Sequence, residues 1–453
     1  MSLPARRLGE LTINREFSFA ARHLELPAQE FIYRQGVSGI LLLAAGLLAL
    51  AWANSPWRQV YFELWEAKLS FNFGFIHLEK SLHHWINDGL MTLFFFLVGM
   101  EIKHEAIHGH LSSLKRAALP IFAAAGGMIA PALLFASFNW GQGTISGWGI
   151  PMATDIAFAV GVLALTPGIS HELKVFLLAL AIVDDIGAIA VIAFFYSNQI
   201  HLLPLSVAVC LLLAIKGFRQ AKVRFAFPYV LAGILFWLMI LRSGIHATIA
   251  GVILAFMVSS REAVSKEEFE HRALPLLNSL SDANREDDIN AADAKLGALE
   301  ALAVSTDPPI ERLTRALHPW VGFVVLPLFA FANAGVVLSA SALATVVKSA
   351  VFIGVCVGLL VGKPMGIFTF TWLATKLKLA EMPSNLKWSE LTGTGVVAGI
   401  GFTVAIFIAD LAFSDEASIA AAKVATLLAS FVAGIAGYIL LRFARRNKPY
   451  PKV

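Results

Sequence analysis

The stretch LALAIVDDIGAIAVIAFF, residues 178–195, is apolar from end to end apart from two adjacent aspartates, Asp184 and Asp185. A membrane-spanning helix needs about 20 apolar residues to cross a hydrocarbon core of ~30 Å. A charged side chain at the centre of that core costs about 2.5–3.5 kcal/mol on insertion scales. Neighbours on a helix also project ~100° apart, so the two carboxylates cannot share one partner face. Both need a reason to be there, and the rest of the chain has to supply it.

The composition sets the frame. The 453 residues are 58% hydrophobic and 15% charged, with mean hydropathy +0.72. A soluble domain carries about 25% charged residues, so a membrane protein is expected. The net charge of +4 and pI near 9.0 do not point to nucleic acid, because Lys and Arg lie between the apolar runs, where membrane topology accounts for them. Cys210 and Cys356 fall inside such runs and are expected to be small buried side chains, part of neither a disulfide framework nor a metal cluster. Residues 1–35 are mixed in charge and lack an apolar core; they read as a cytoplasmic segment without a cleavable signal, and residues 444–453 read as a cytoplasmic tail.

Twelve spans are expected within a single transporter domain, residues 36–443: near 36–54, 85–105, 117–137, 148–165, 173–197, 202–216, 225–241, 244–259, 319–340, 349–375, 391–412 and 418–443. Basic residues follow spans 2, 6, 8, 10 and 12: Lys115 and Arg116, then Lys216, Arg219, Lys222 and Arg224, then Arg261, Lys266 and Arg272. They return as Lys376, Lys378 and Lys387 and finally as Arg442, Arg445, Arg446 and Lys448, whereas 138–147, 198–201 and 413–417 hold neither Lys nor Arg. The alternation places both termini in the cytoplasm by the positive-inside rule. Between spans 1 and 2, KLSFNFGFIHL (68–78) alternates Leu69, Phe71, Phe73 and Phe75 with Ser70, Asn72 and Gly74; a period of two predicts a strand, one arm of a short extracytoplasmic β-hairpin. The charged segment 260–317 reads as a long mobile cytoplasmic loop, helical in part, rather than a second domain.

Two spans are built to break. GWGIPMATDIAFAVGVLAL (147–165) places Pro151 four residues before Asp155, with Thr154 beside it. LTGTGVVAGIGFTVAIFIADL (391–411) carries Gly393, Gly395, Gly399 and Gly401 within nine residues, at about 1 kcal/mol each relative to alanine inside a helix. Unwound backbone survives at membrane depth only where protein or water surrounds it, and a pair of interrupted spans in corresponding halves marks a transporter's binding site. Lys363, in LLVGKPMGIFTF (359–370), is a cation to set against Asp155, Asp184 and Asp185. Left facing lipid, the four charges would cost on the order of 10 kcal/mol, so they face one another or water. Asp410, near the end of span 11, reads as a helix-end acid reaching back to the interface.

MATDIAFAVGVLAL, LAIVDDIGAIAVIAFFY, GKPMGI and GIGFTVAIFIADLAF, with WINDGLMTLFFFLVGMEIKHE and LHPWVGFVVLPLFAFANAGV, closely resemble the NhaA family of bacterial sodium/proton antiporters, in consistent order from about residue 30 to 445. The resemblance implies an all-α membrane fold in which spans 3–5 and 10–12 are inverted repeats whose broken helices, spans 4 and 11, cross at the ion site. It implies Asp184 and Asp185 as the proton- and Na⁺-binding pair, Thr154 and Asp155 lining the crossing, and Lys363 paired with Asp184. Asp155 would offset the positive half-helix ends and Lys363 the negative ones. It also associates the inner end of span 2 (Glu101, His104 and Glu105), the residues before LHPW, and His246 in SGIHATIAG with activation by pH; His104 stands where the family usually has arginine. The strand at 68–75 resembles the hairpin that pairs NhaA protomers, so a homodimer through residues 66–80 is expected. Na⁺, Li⁺ and H⁺ are then cargo, no cofactor is expected, and the place is the bacterial inner membrane.

Other classes fit the residues less well. A membrane aspartyl protease needs a Gly-x-Gly-Asp context, which none of Asp155, Asp184 and Asp185 has. A cation channel would be obstructed by Lys363. A proton-coupled symporter is the nearest alternative on residues alone, distinguished by whether Na⁺ drives protons with it or against it.

Overall fold

The computed structural model describes residues 37–73, 76–197, 200–221, 223, 225–262, 264–285, 289–383 and 386–445. The segment 1–35, the tail from 446, Gly74 and Phe75 at the hairpin tip, and Lys222 and Arg224 lie outside the described residues. Among those described, nine helices are long and apolar enough to cross a membrane, beginning with Leu82–Ile107 and ending with Glu416–Ala444. Two bent pairs, Val37–Ala53 with Arg58–Glu66 and Trp388–Ala398 with Phe402–Ala412, supply spans 1 and 11, and the short apolar helix Thr248–Met257 supplies span 8. Each of the twelve expected spans thus has its helix, and the chain is a multi-pass helical membrane protein.

Span 8 is shorter than the sequence suggests. Its ten residues cover about 15 Å, because Gly244, at φ 88°, ends span 7 in a left-handed turn and the chain to Ala247 makes the connection. At its far end Lys103 donates to the carbonyls of Phe256 (2.8 Å) and Val258 (2.5 Å), two of the acceptors that a helix end leaves unmet.

By contacts the chain divides into two compact units, residues 1–83, 115–188 and 326–453 in one and 84–114 and 189–325 in the other. In the first, a long helix (Lys115–Asn139), a broken span (145–165) and a long helix (His171–Phe195) recur in the same order as Ala350–Lys376, 388–412 and Glu416–Ala444. Seven spans separate the start of one set from the start of the other, so the sets cross in opposite directions. Spans 3 and 10 touch through glycine: a Cβ on Gly126 would stand 2.1 Å from the Gly366 carbonyl oxygen, and one on Gly366 would stand 2.0 Å from that of Gly126. Near the hairpin, Tyr61 donates to the Phe331 carbonyl at 2.7 Å amid Trp52, Trp65 and Phe331. The hairpin itself pairs β1 (Lys68–Phe73) antiparallel with β2 (Ile76–Ser81), from Lys68 opposite Ser81 to Phe73 opposite Ile76.

In the second unit Met91–Ile107 and Thr248–Met257 lie against each other, with Gly251 under the Thr92 carbonyl. The segment 260–317 is helical over much of its described length. It forms the helices Lys266–Arg285 and Ile289–Thr306 and enters Pro309–Trp320. Val264 donates to the Ser305 carbonyl at 3.2 Å, closing the base of this excursion, and Lys295 donates to the Ser279 carbonyl at 2.6 Å between its arms. Local charge composition carries no record of these partners.

The expectation of two buried cysteines is corrected. Cys210 is exposed on span 6, since that span presents most of its surface outward, and Cys356 is only partly buried. The Asp410 side chain is 11% exposed and lies 2.8 Å from Lys423 Nζ, an ion pair from span 12 that Asp410 alone does not announce.

Close packing at glycine generates a stability prediction. Gly366→Ala is expected to cost about 1–3 kcal/mol by overpacking. Gly217→Ala, where an added methyl meets nothing, is expected to be neutral or to gain up to about 1 kcal/mol from helix propensity. Thermal unfolding in detergent reads both; equal midpoints for the two variants would refute the packing argument.

Candidate functional site

The two breaks meet, and each settles the backbone of the other. Span 4 runs as a 3₁₀ stretch, Ile145–Met152, then extended through Asp155, then as the helix Ile156–Leu165. Pro151 has no amide proton to continue an α-helix, and Asp155 starts the second half by accepting from the Phe158 amide at 3.0 Å. Span 11 parts at Gly399–Gly401 with a bend of 46°. A Cβ on Gly399 would lie 2.5 Å from the Leu359 carbonyl oxygen of span 10, so glycine is required by that approach as well as by the break. Gly393 and Gly395 remain helical within Trp388–Ala398.

Every bond across the crossing is directional. The Asp155 amide donates to the Ile400 carbonyl at 2.7 Å. The Asp155 carboxylate accepts from both the Thr403 amide (3.1 Å) and the Thr403 hydroxyl (2.7 Å) through Oδ2. One carboxylate therefore serves the N-termini of two half-helices, each carrying about half a positive charge. The Phe402 amide donates to Ser430 Oγ at 3.2 Å. Thr154 Oγ1 lies 2.7 Å from Asp184 Oδ2 and 3.0 Å from the Ala398 carbonyl, the end of the first half of span 11; with one hydroxyl proton it satisfies one of these acceptors at a time.

Lys363 follows a π turn, Gly358–Gly362, and such a turn rotates the following side chains about the helix axis. Its Nζ lies 2.9 Å from Asp184 Oδ2 and donates to the Met152 carbonyl at the negative end of the 3₁₀ stretch. Both side chains of the Lys363–Asp184 pair are 0% exposed. Removing one partner of such a pair costs about 3–5 kcal/mol. Asp185 is 1% exposed and also acts electrostatically on Lys363.

The charge balance is informative. If all four groups are ionised, Asp155 is offset by about +0.5 from each of two helix ends, and Asp184 is offset by Lys363. With three carboxylates against one ammonium, the set is left with negative charge in excess. Asp184 Oδ1 is fully buried and has no hydrogen-bond donor. Carboxylate oxygens are hard ligands that suit small cations, so a proton or a bare alkali ion meets both demands.

Thr154, Asp184 and Lys363 are thus joined by direct contacts, with Asp155 next to Thr154 and Asp185 next to Asp184 along the chain. Thr403, Ser430 and the Met152, Ala398 and Ile400 carbonyls complete the site and were not singled out from sequence. A hydroxyl directly after the glycine break, as in GIGFT, was the available signal for Thr403; the carbonyls carry none.

The residues associated with pH activation lie in the other unit. Glu101 Oε1 is 3.7 Å from His318 Nε2, and His104 Nε2 is 3.5 Å from Glu311 Oε1, so span 2 meets the helix Pro309–Trp320. Glu105 lies on the same turn, accepting at its carbonyl from the Gly109 amide. His246 is elsewhere, with Nε2 3.9 Å from Asp88 Oδ1 and Nδ1 2.8 Å from Thr248 Oγ1. Thirteen residues of span 2 separate Asp88 from Glu101, about 20 Å of helix, so these histidines form two clusters.

Comparison with known proteins agrees with this geometry. A family model described as Na⁺/H⁺ antiporter 1 matches residues 29–441. The chain is 44% identical over 439 residues to Na(+)/H(+) antiporter NhaA 2 of Syntrophotalea carbinolica, covering 95% of this chain and 100% of that one. It is 45% identical over 432 residues to NhaA of Oleidesulfovibrio alaskensis, covering 93% and 95% of the two chains, and 43% identical over 423 residues to NhaA of Wolinella succinogenes, covering 92% and 93%. With two broken spans crossing over paired buried aspartates and a match along nearly its whole length, the chain belongs to the Na⁺/H⁺ antiporter 1 family.

Proposed function

We propose that the protein exchanges Na⁺ or Li⁺ for H⁺ across the bacterial inner membrane, with Asp184 and Asp185 as the shared seat. The excess negative charge at the crossing carries the reading. In the proton-loaded state one proton sits on Asp185 and one is held in the Asp184–Lys363 pair. Na⁺ approaches the open Asp184 oxygen and Asp185, Lys363 gives up its proton and its hold on Asp184, and both protons leave. Two charges then move against one, so exchange is electrogenic and a proton gradient drives Na⁺ outward. Asp155 and Thr154 take no proton; they hold the half-helices in place.

Activation by pH is assigned to Glu101, His104 and Glu105 with their partners Glu311 and His318, and separately to His246. The basic loops support cytoplasmic termini. A homodimer through residues 66–80 is supported by the hairpin, a two-stranded sheet of a kind that is marginally stable by itself.

In everted vesicles, Na⁺ and Li⁺ but not K⁺ are expected to dequench a pH dye, with a profile that varies with pH. Asp184→Asn and Asp185→Asn should each lose at least about 100-fold in rate, the equivalent of ~2.7 kcal/mol; Asp155→Asn should keep residual exchange at an apparent Na⁺ affinity weaker by about tenfold, ~1.4 kcal/mol. Normal Na⁺ turnover in Asp185→Asn would refute the assignment, and acidification of the lumen on adding Na⁺ would favour a symporter. Deleting residues 68–81 should leave monomers in native mass spectra; an intact dimer would exclude the hairpin as the contact.

A further inference from the structure

Charged groups that the exchange site does not use gather at the hairpin face of the same unit. Asp410 occupies the last turn of Phe402–Ala412, where the helix dipole presents its negative end and disfavours a carboxylate. Lys423 of span 12 places Nζ 2.8 Å from Asp410 Oδ1. Asp410 Oδ2 lies 3.8 Å from His83 Nε2, at the entry to span 2. The same nitrogen lies 2.8 Å from Asn333 Oδ1, at the end of span 9. Asn333 donates its own amide to the Phe329 carbonyl at 2.9 Å, which turns its oxygen to the histidine and assigns the proton to Nε2. The ends of four spans are tied at one point, and one member of the tie titrates near pH 6.5 in free peptides.

The link to the ion site is the half-helix that carries Asp410. Thr403, which holds Asp155, precedes Asp410 by seven residues of unbroken helix, about 10 Å. Fixing one end of so short a rod restrains the other.

We propose that Asp410 and Lys423 are positioning residues for the exchange site, and that His83 makes their hold on the second half of span 11 depend on pH at the hairpin face. Neutral His83 gives its Nε2 proton to Asn333. Charged His83 adds attraction to Asp410 in surroundings that screen it poorly, the tie tightens, and the half-helix yields less readily during the cycle. Of the groups bearing on His83, Asp410 favours its charge and Lys423 opposes it. Asn333 accepts from either form, and Glu79, Lys80 and His84 flank it along its own chain. The proposal rests on the exchange function above.

The test is ²²Na⁺/Na⁺ exchange at saturating Na⁺ in proteoliposomes sorted for the hairpin face outward, with interior pH fixed and exterior pH lowered from 8 to 5.5. Saturating Na⁺ removes simple proton competition, leaving the maximal rate. The natural protein should slow several-fold, whereas His83→Gln, which keeps a donor but cannot charge, and Asp410→Asn should hold their rates within about twofold; Asp410→Glu should restore the natural profile. A flat profile in the natural protein, or profiles of His83→Gln and Asp410→Asn that overlay it, would overturn the proposal. Absence of any exchange in the natural protein would instead overturn the function on which it rests.

Discussion

Backbone that leaves a helix inside a bilayer has to find its hydrogen bonds in protein, and here most of that demand falls on Asp155. Its amide donates to the Ile400 carbonyl and its carboxylate accepts from the Phe158 and Thr403 amides. Two half-helix N-termini and two chain breaks are therefore joined through one residue that is 2% exposed. The opposite polarity is met by Lys363 on the Met152 carbonyl and by Thr154 on the Ala398 carbonyl. Once these are in place, the crossing stands without a continuous helix.

The same economy produces the transport site. Lys363 already answers one carboxylate and one carbonyl, and Asp155 already answers two helix ends. Three carboxylates thus stand against one ammonium, and Asp184 keeps one oxygen without a donor. Only a small cation or a proton supplies what is lacking without bringing a side chain of its own. Competition between the two follows from the scarcity of oxygens rather than from any special chemistry.

Much of this was legible in the residues, for physical reasons. A charge in an apolar run has no cheap alternative to a partner, so Asp155, Asp184, Asp185 and Lys363 were visible from hydropathy alone. Pro151 and the glycines of 393–401 marked the breaks because they weaken a helix wherever they stand. Span 8 came out shorter than expected, and the helices within 260–317 had no stated bounds, since both depend on partners distant in sequence, such as Lys103 for the Phe256 carbonyl and Ser305 for Val264. The partners of Asp410 were hidden for the same reason: nothing near it in sequence shows Lys423 or His83. Main-chain carbonyls of the site are invisible to any reading of side chains.

The central claim is that Na⁺ and protons occupy the same oxygens in turn. Titrating Na⁺ into the purified protein by calorimetry, in two buffers of different ionisation enthalpy, counts the protons displaced as the ion binds. The account predicts a buffer-dependent heat corresponding to two protons released for each Na⁺, and its loss in Asp185→Asn. Sodium binding with the same heat in both buffers would contradict it.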